Sequence, residues 1–349
     1  MRTKVAMIGV GCISGIYLEN IFTRYPEIEL VGVCDLIRAR AEAAKEKYPS
    51  LLIYETMEDA LRDPQVEVIL NLTRPAEHFE VSRAALAAGK HVYSEKPLAA
   101  TAELGRQLVA LAEKKGLYLG GAPDTFLGAG FQTARRLIDA GAIGTVVGAS
   151  AHMIGHGPES WHPDPEFFYK FGGGPMMDMG PYYITALVNL MGRVTETVSM
   201  AKASFPTRTI TAKERFGETI QVDVNTYVDG LMRFESGAAA RMFATFDAWY
   251  PQASGMEIYG AIRIFRKDRT EEEIPLSFGF STNSRGLGLW DMCDAIRNHR
   301  APRAGYLQTL HVLDVMTALA AGGAHTITSP FRRQPPLRED AENTGRIDV

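Results

Sequence analysis

Cysteine is scarce in this sequence, and positive charge is not in excess. The 349 residues include three cysteines, none in a Cys-x-x-Cys arrangement, which argues against a disulfide framework or a zinc knuckle. Lys and Arg together number 37 against 41 Asp and Glu. Proteins that bind nucleic acid or an anionic membrane surface usually carry a clustered excess of basic residues, so we expect neither partner.

Long apolar segments are also missing. The stretch without charged residues over 140–158 contains five glycines and two histidines, which excludes a helix that spans the hydrocarbon of a bilayer. The first residues lead directly into a strand-like pattern without a hydrophobic signal region, and we expect a cytoplasmic protein. With 46% hydrophobic and 22% charged residues the composition is that of a globular chain, and the length predicts two domains or one large barrel.

Short β-branched segments alternate with segments of helical periodicity in the first third of the chain. The predicted strands are 5–10, 28–33, 66–72, 91–94 and 118–120, and the predicted helices are 16–25, 38–48, 76–88 and 102–115. Parallel strands need a crossover that packs back onto the sheet. The alternation therefore predicts an α/β domain over residues 1–122, built on a doubly wound parallel sheet.

Longer strand patterns follow a helical segment over 132–140. The predicted strands are 145–154, 195–204, 226–234 and 239–246, and the predicted helices are 177–190, 287–298 and 306–321. We predict an α+β domain over 123–329, with a large, open, mainly antiparallel sheet and helices on one face. Residues 330–349 contain three prolines and eight charges, which predicts an extended C-terminal tail.

A glycine-rich turn follows the first predicted strand and opens the first predicted helix. In the segment Gly9-Val10-Gly11-Cys12-Ile13-Ser14, Gly9 permits a tight turn, and Gly11 lets the backbone approach a pyrophosphate at the helix start. Ser14 occupies the place of a third glycine, where a small residue suffices. This context is that of the dinucleotide-binding loop of a Rossmann domain, although the pattern alone is also compatible with a purely structural turn.

Asp35 ends the second predicted strand, 21 residues after Ser14. A carboxylate there accepts hydrogen bonds from the adenosine ribose hydroxyls and repels a 2′-phosphate. We therefore predict NAD as the cofactor. Arg38 and Arg40 follow closely and offer a counter-charge to a phosphate, so NADP stays an alternative.

Glu95-Lys96-Pro97 follow the predicted strand 91–94, at the carboxyl edge where open parallel sheets bind ligands. In isolation, a lysine at this edge is more often a solvated surface cation. The surrounding segment 88–98, Ala-Gly-Lys-His-Val-Tyr-Ser-Glu-Lys-Pro-Leu, resembles the signature of the glucose-fructose oxidoreductase, inositol dehydrogenase and MocA (Gfo/Idh/MocA) family. The segments 71–75, 142–144 and 172–182 resemble further family motifs in the expected order, so the likeness extends over roughly residues 4 to 320.

The resemblance implies a set of cofactor-binding residues and an oligomer. The expected cofactor-binding residues are Gly9, Gly11, Cys12, Ile13, Ser14, Asp35, Arg40, Thr73, Arg74, Pro75, His78, Glu95 and Lys96. The family assembles through its second sheet, which implies a homodimer or a homotetramer for this chain.

Two departures from the family pattern affect the expected chemistry and fold. Tyr182 stands where many members carry histidine, and Thr185 stands where they carry aspartate, so the proton donor is changed in kind. Some members that act on sugars or dihydrodiols carry tyrosine at that position. Around 260–263 the chain is shorter than is usual in the family, which leaves one hairpin of the second sheet open.

Hydride transfer between a carbinol carbon and nicotinamide requires a group that stabilises the developing alkoxide and a group that exchanges the proton. We assign the first task to Lys96, whose ammonium hydrogen-bonds the substrate oxygen, and the second to Tyr182. Asp178 precedes Tyr182 by four residues, so it faces the same side of the predicted helix and orients substrate hydroxyls or tunes Lys96. The structural alternatives are a core aromatic for Tyr182 and a helix N-cap for Asp178.

The segment 152–165 combines three histidines with two acidic residues. Their spacing fits no zinc pattern, and the prolines prevent a single helical face, so we expect no metal. We expect His156, Trp161 and His162 to bind substrate together with Lys96, Asp178 and Tyr182. The indole would face the C–H groups of a sugar ring, and the imidazoles would bind its hydroxyls.

The main hypothesis is an NAD(P)-dependent dehydrogenase or reductase that acts on CH–OH groups of a sugar, an inositol or a related polyhydroxylated ring. Its partner is then a small sugar or polyol. One alternative is an enzyme that cleaves a glycosidic bond through transient oxidation by tightly bound NAD, without net release of NADH. A third hypothesis, from another class, is a non-catalytic module that senses NAD or sugars.

Overall fold

The computed structural model describes residues 2–248 and 262–348 and divides the chain into two compact units. The first unit comprises the described residues up to Gln132, the segment Leu276–Leu310 and the described residues from Gln334 onward. The second comprises the described parts of Thr133–Pro275 and His311–Arg333.

The strands and helices follow one another in a regular alternation in the first third of the chain. The strands are β1 (Thr3–Ile8), β2 (Ile28–Cys34), β3 (Leu52–Ile53), β4 (Val68–Asn71), β5 (His91–Ser94), β6 (Leu119–Gly121), β7 (Gly148–Ile154), β8 (Val194–Lys202), β9 (Thr207–Thr209), β10 (Thr219–Gln221), β11 (Tyr227–Phe234), β12 (Ala239–Thr245), β13 (Ile262–Phe265), β14 (Glu271–Ile274) and β15 (Gly323–Thr326). The α-helices are α1 (Ser14–Arg24), α2 (Arg38–Lys47), α3 (Met57–Arg62), α4 (His78–Ala87), α5 (Ala102–Lys115), α6 (Ala129–Asp139), α7 (Pro175–Asp178), α8 (Gly180–Met191), α9 (Leu287–Asn298), α10 (Tyr306–Ala321) and α11 (Ala341–Thr344).

The first unit contains a six-stranded parallel sheet in the order β3-β2-β1-β4-β5-β6. Its central strands β1 and β4 are almost entirely buried, as expected where helices cover both faces of a parallel sheet. The chain leaves β1 toward β2 on one side and returns to β4 on the other. The carboxyl ends of β1 and β4 therefore form the topological switch point, where doubly wound sheets bind their ligands.

The second unit contains a five-stranded mixed sheet in the order β15-β8-β11-β12-β7. Only the pair β12 and β7 is parallel; the other three pairs are antiparallel. Burial alternates along β8, β11 and β12, so one face lies in the core and the other is exposed. A Cβ at the buried Gly230 of β11 would lie 2.6 Å from Leu319 Cδ2, which shows how closely α10 packs on the core face.

The predicted fold class is confirmed, and several predicted elements coincide with observed ones at both ends: β5, α5, α9 and α10. Short elements were missed, among them β3, α3 and the hairpin of β9 and β10. These strands have only two or three residues and α3 has six, too few for a readable periodicity. The sequence left one hairpin of the second sheet open, around residues 260–263. Residues 260 and 261 lie outside the described residues. Ile262 begins β13, which pairs with β14.

Two segments that the sequence assigned elsewhere pack within the first unit. Helix α9 was predicted in the second domain, yet Trp290 and Cys293 lie in the core of the first unit. The extended tail predicted over 330–349 is wrong for the residues from Gln334 onward, since Leu337, Ala341 and Ile347 are buried in that same core. The predicted boundary at Ala122 therefore marks the end of the parallel sheet but not of the compact unit.

Arg303 explains why a segment rich in proline and charge is docked. Its guanidinium donates to the carbonyls of Pro335 and Pro336, both at 2.9 Å, and to the Asp348 carboxylate at 2.6 Å. The buried Asp291 carboxylate balances its charge at 2.6 Å. Composition indicates solvation only when such charges have no buried partner.

None of the helices in the described part of the chain combines the length and the apolar character that a membrane span requires.

His311 makes the stability of the second unit depend on pH. Its ring is fully buried; Nε2 accepts the N–H of Val194 at 3.0 Å and Nδ1 lies 3.0 Å from Ser329 Oγ. Burial lowers the pKa of His311 from 6.5 to about 4. On acidification, His311 binds a proton near pH 6.5 in the unfolded chain but only near pH 4 in the folded chain. The contribution of neutral His311 to stability is therefore present above pH 6.5 and is lost as the pH falls.

We expect His311 alone to remove about 2 kcal/mol of stability between pH 7 and pH 5. His311→Gln keeps an acceptor for Val194 and a donor for Ser329 but does not titrate in this range. Thermal unfolding followed by circular dichroism at both pH values should show a smaller loss of Tm on acidification for the variant than for the wild type. Equal losses would contradict the assignment.

Candidate functional site

The turn after β1 depends on glycine at its first position. Gly9 has φ +96°, and a Cβ there would lie 2.7 Å from the carbonyl carbon and oxygen of Leu72 and 2.9 Å from the nitrogen of Thr73. The turn is thus pressed against the chain that leaves β4. The Gly9 N–H donates to the Cys34 carbonyl at 2.8 Å, which ties the same turn to the end of β2.

The start of α1 is arranged to receive an anion. Among the described residues no side chain caps this helix, its first turn carries no acidic residue, and nothing lies within 4 Å of a Cβ built at Gly11. Ser14 is buried and donates from Oγ to the Gly11 carbonyl at 2.7 Å. Cys12 is exposed and Ile13 is half-buried. Unsatisfied backbone N–H groups together with the helix dipole favour a pyrophosphate at such a position.

Asp35 has a second task that the sequence did not reveal. Its carboxylate accepts the N–H of Val10 at 2.6 Å and that of Ile37 at 2.7 Å, so it holds the glycine turn in place. A carboxylate has about four lone-pair positions, which leaves capacity for ribose hydroxyls. Leu36, the next residue, is fully exposed and presents an apolar surface there; no role was predicted for it from the sequence.

The two nearby arginines differ in their availability. Arg38 pairs with Glu42 at 2.8 Å and with Glu55, so its charge is already balanced. Arg40 lies 3.8 Å from the Asp35 carboxylate. The charge next to the predicted ribose position is therefore that of one aspartate and one arginine, which favours hydroxyls over a phosphate there.

His78 connects the segment after β4 with the segment after β5. Its buried ring lies with Nδ1 2.7 Å from the Pro97 carbonyl and with Nε2 3.0 Å from the Thr73 carbonyl. Burial lowers the pKa of His78, while the two carbonyls oppose that shift. The ring thus holds the backbone at Thr73, immediately before Arg74 and Pro75. Direct contact of His78 with a cofactor stays a prediction.

Glu95 fixes the backbone of Lys96. One carboxylate oxygen accepts the Tyr17 hydroxyl at 2.9 Å, and the other accepts the Lys96 N–H at 2.9 Å. Arg285 Nη1 lies 4.0 Å from the first oxygen. Burial and the Glu95 charge raise the pKa of Tyr17 well above its usual value, so its hydroxyl remains a donor. Neither Tyr17 nor Arg285 was singled out from the sequence, because their neighbour is distant along the chain.

These contacts bring the predicted cofactor residues of the first unit to one edge of its sheet. The glycine turn touches Leu72, Tyr17 of α1 reaches Glu95, and His78 reaches Pro97. The first contact joins the segments after β1 and β4, and the other two connect α1 and α4 with the segment after β5. Lys96 is half-buried at this edge.

The second unit carries the other predicted catalytic residues on two short helices. The sequence predicted a single helix over 177–190, but Asp178 ends α7 and Tyr182 lies in the first turn of α8, with Met179 between the helices. The spacing of four residues therefore does not by itself place both on one face. Asp178 is half-buried and is not the N-cap of α8, which is Met179. Tyr182 is buried.

The glycines before α7 are required by close packing. Gly174 has φ +91°, and a Cβ there would lie 2.9 Å from the Asn225 carbonyl. A Cβ at Gly173 would lie 2.5 Å from the Phe168 carbonyl. Larger residues would displace the start of α7, and with it Asp178.

The loop over 155–164 holds the remaining predicted substrate residues. His156 is exposed, with Nδ1 3.1 Å from the Ala248 carbonyl. His162 accepts the Asp164 N–H on Nδ1 at 3.0 Å. Trp161 is 67% exposed and meets the His162 ring edge-on, with centroids 5.3 Å apart. Within the described ranges no group of three or more His, Cys, Asp or Glu side chains is placed to hold a metal ion.

Two family models match successive parts of the chain. Residues 3–121 match the model described as an oxidoreductase family with an NAD-binding Rossmann fold, and residues 131–263 match the Gfo/Idh/MocA C-terminal domain. Together they cover more than half of the chain.

Curated relatives match over shorter stretches. An uncharacterized oxidoreductase of Schizosaccharomyces pombe is 30% identical over 195 residues, 54% of this chain and 52% of the relative. An inositol 2-dehydrogenase of Salmonella paratyphi B is 34% identical over 117 residues, 33% of this chain and 35% of the relative. The chain thus spans about half or less of the length of these relatives.

A solved structure shares the fold over nearly the whole chain. A levoglucosan dehydrogenase in complex with NADH and L-sorbose has a TM-score of 0.77, with 18% identity over 94% of this chain and 99% of the other. At this identity the likeness extends to the fold alone. With both family models matched in order, the chain belongs to the Gfo/Idh/MocA family of oxidoreductases, and residues 3–121 are its NAD-binding Rossmann domain.

Proposed function

We propose that this protein is an NAD-dependent dehydrogenase or reductase that transfers a hydride between nicotinamide and a carbinol carbon of a sugar, an inositol or a related polyhydroxylated ring. The observation that carries the proposal is the position of Lys96, which follows β5 at the carboxyl edge of the parallel sheet, with its backbone N–H held by the Glu95 carboxylate. The names of an inositol 2-dehydrogenase among the relatives and of a levoglucosan dehydrogenase among the structures support the substrate class.

The proposed cofactor site uses the glycine turn and Asp35. The N–H groups at the start of α1 would hold the pyrophosphate, and Asp35 would accept the ribose hydroxyls while Leu36 covers the adenine. Thr73, Arg74 and Pro75 would follow the cofactor along the edge. Bound NAD supplies the hydride acceptor.

The proposed catalytic groups are Lys96, Tyr182 and Asp178. The Lys96 ammonium would stabilise negative charge on the substrate oxygen as the alkoxide develops, which is worth most where water is excluded. Tyr182 would exchange the proton, and Asp178 would orient substrate hydroxyls. Trp161, His156 and His162 would contact the ring of the substrate. The predicted cytoplasmic location stays a prediction.

Lys96→Met tests the catalytic assignment. We expect kcat/KM to fall about 100- to 1000-fold, as when one preorganised donor to an oxyanion is removed, while the Kd for NAD changes by less than about threefold. The assay follows NADH fluorescence with a panel of myo-inositol, D-glucose, levoglucosan and L-sorbose, with NAD and with NADP.

Lys115→Met is the control, because Lys115 is an exposed lysine of the same domain that donates to the Ala87 carbonyl. Turnover of the Lys96 variant at the level of this control would remove Lys96 from the mechanism. Conversion of a glycoside without net NADH would instead support cleavage through transient oxidation, and binding of NAD without any turnover would support a sensing module.

Asp35→Ser tests the cofactor assignment. The loss of a charged acceptor of ribose hydroxyls should weaken NAD about 10- to 100-fold and reduce discrimination against NADP, since Arg40 remains. Adding Arg40→Met should abolish the gained affinity for NADP. An unaltered ratio of the NAD and NADP dissociation constants, measured by fluorescence titration, would contradict the ribose assignment.

We also propose that the exposed face of the second sheet forms a homodimer or homotetramer. Val198 and Leu231 are a cross-strand pair that points outward, with Met200 nearby on β8. Ion pairs flank them, Arg233 with Glu196 and Arg241 with Asp229. A face that carries apolar groups and both charges is complementary to a copy of itself.

Leu231→Arg should convert the oligomer to a monomer, because it buries an unpaired charge at the proposed contact. Light scattering after gel filtration at micromolar concentration measures the mass. Phe216→Ser is the control, since Phe216 is also exposed but lies outside this sheet. A monomeric wild type, or an unchanged mass for Leu231→Arg, would refute this interface.

A further inference from the structure

A buried arginine of the second unit lies at the centre of a network that no part of the proposed chemistry uses. Arg208 in β9 is 6% exposed. Its guanidinium pairs with the carboxylates of Glu159 and of Asp247, the latter at 3.0 Å, and donates to the carbonyls of His156 and of Phe246, the latter at 3.1 Å. All four acceptors are distant along the chain from β9.

Two of these acceptors belong to the loop over 155–164. The guanidinium binds the backbone of His156 and the side chain of Glu159, and the carbonyl of Glu159 accepts the N–H groups of Thr211 at 3.0 Å and Ala212 at 2.8 Å. Both the side chain and the backbone carbonyl of Glu159 therefore hold the loop in place. The segments that hold it, β9 and the residues that follow it, form the hairpin with β10.

The other acceptors connect the loop to the sheet. Asp247 follows the end of β12 and accepts the Thr226 hydroxyl at 2.8 Å. The rings of Tyr169 and Phe205 lie 5.6 and 5.8 Å from the guanidinium carbon. A planar guanidinium can stack on rings and donate in several fixed directions at once, which an ammonium cannot.

The loop has no room for a side chain at Gly157. Its φ is +98°, and a Cβ there would collide with the Tyr169 hydroxyl and with the Glu159 carboxylate. Burial, followed by the Glu159 charge, raises the pKa of Tyr169, so the phenol stays a neutral donor beside that carboxylate. The loop is thus fixed at His156, Gly157 and Glu159, immediately before Trp161 and His162.

We infer that Arg208 is the positioning residue of this loop, and that it sets the choice among polyhydroxylated rings by fixing where His156, Trp161 and His162 stand. Burying one guanidinium with two carboxylates costs more than an apolar contact of the same size. In return, such a network holds the loop in one defined geometry. The loop side chains next to the network are those proposed to contact the ring of the substrate. The inference rests on the proposed function, because it concerns the same substrate.

The experiment compares Arg208→Lys and Glu159→Gln with the wild type on the panel of myo-inositol, D-glucose, levoglucosan and L-sorbose. Arg208→Lys keeps the charge but loses the fork, and Glu159→Gln keeps the shape but loses one charge. We expect KM for the best sugar or polyol to rise about tenfold, because substrate binding must then also order the loop. The value of kcat and the Kd for NAD should stay within about threefold of those of the wild type. The ratio of kcat/KM between the best and the second-best compound should fall by a similar factor.

Hydrogen exchange supplies a readout that does not depend on turnover. In both variants the amides over 155–164, Thr211 and Ala212 should exchange faster, while those of residues 3–121 keep their wild-type rates. Arg266→Met is the control, because it removes an arginine that pairs with Glu272 at 2.5 Å on an exposed hairpin of the same unit. Its exchange in the loop and its selectivity should equal those of the wild type.

The outcomes separate the inference from the proposed function. A wild type that reduces neither cofactor with any compound overturns the proposed function, and the selectivity role with it. An active wild type whose selectivity and KM persist in Arg208→Lys and Glu159→Gln overturns the inference alone, even if the loop exchanges faster, because the network would then serve stability only. Unchanged exchange in the loop overturns it as well.

Discussion

The close approach of two strand ends at Gly9 is the constraint on which the nucleotide domain depends. Because β1 and β4 are neighbours in the sheet, the chain that turns after β1 must pass within contact distance of the Leu72 carbonyl, and only a residue without a Cβ and with a positive φ fits there. That turn directs the start of α1 toward the edge. The N–H of Val10 then meets Asp35, so the glycine turn and the residue that follows β2 are held together.

The same edge shows how structural and chemical tasks are shared. Glu95 and His78 were both expected at the cofactor, and both have side chains engaged with protein groups: Glu95 with Tyr17 and the Lys96 backbone, His78 with two carbonyls. A residue that is predicted from the sequence to bind a cofactor can instead position the neighbouring residues that bind it. In the second unit Arg208 takes that part for the loop of Trp161. The buried charges of this network then lie one layer behind the side chains that are proposed to meet substrate.

Much of the fold could be read from the sequence, because buried parallel strands and amphipathic helices leave clear periodicities. The bounds of α5, α9 and α10 were predicted to the residue. The unit to which α9 belongs was not predicted correctly. Helical periodicity shows that one face of a helix is buried, but it does not show which part of the protein covers that face. The glycine turn and Lys96 were found because their motifs are local. Arg208, Arg285 and Tyr17 were not, because the acceptors that their side chains contact lie 38 or more residues away and only the folded chain brings them together.

The docked C-terminal segment has a consequence for how the protein is made. The core around α1 is completed by Trp290 of α9 and by Leu337 and Ile347, which a ribosome delivers only after residues 133–275 of the second unit have been synthesised. An early nascent chain therefore holds a parallel sheet whose apolar flank is still open. Closing it requires contacts between residues hundreds of positions apart, which is slow on entropic grounds. During that interval the apolar flank of the parallel sheet is exposed, and a chaperone that binds apolar surface would protect it.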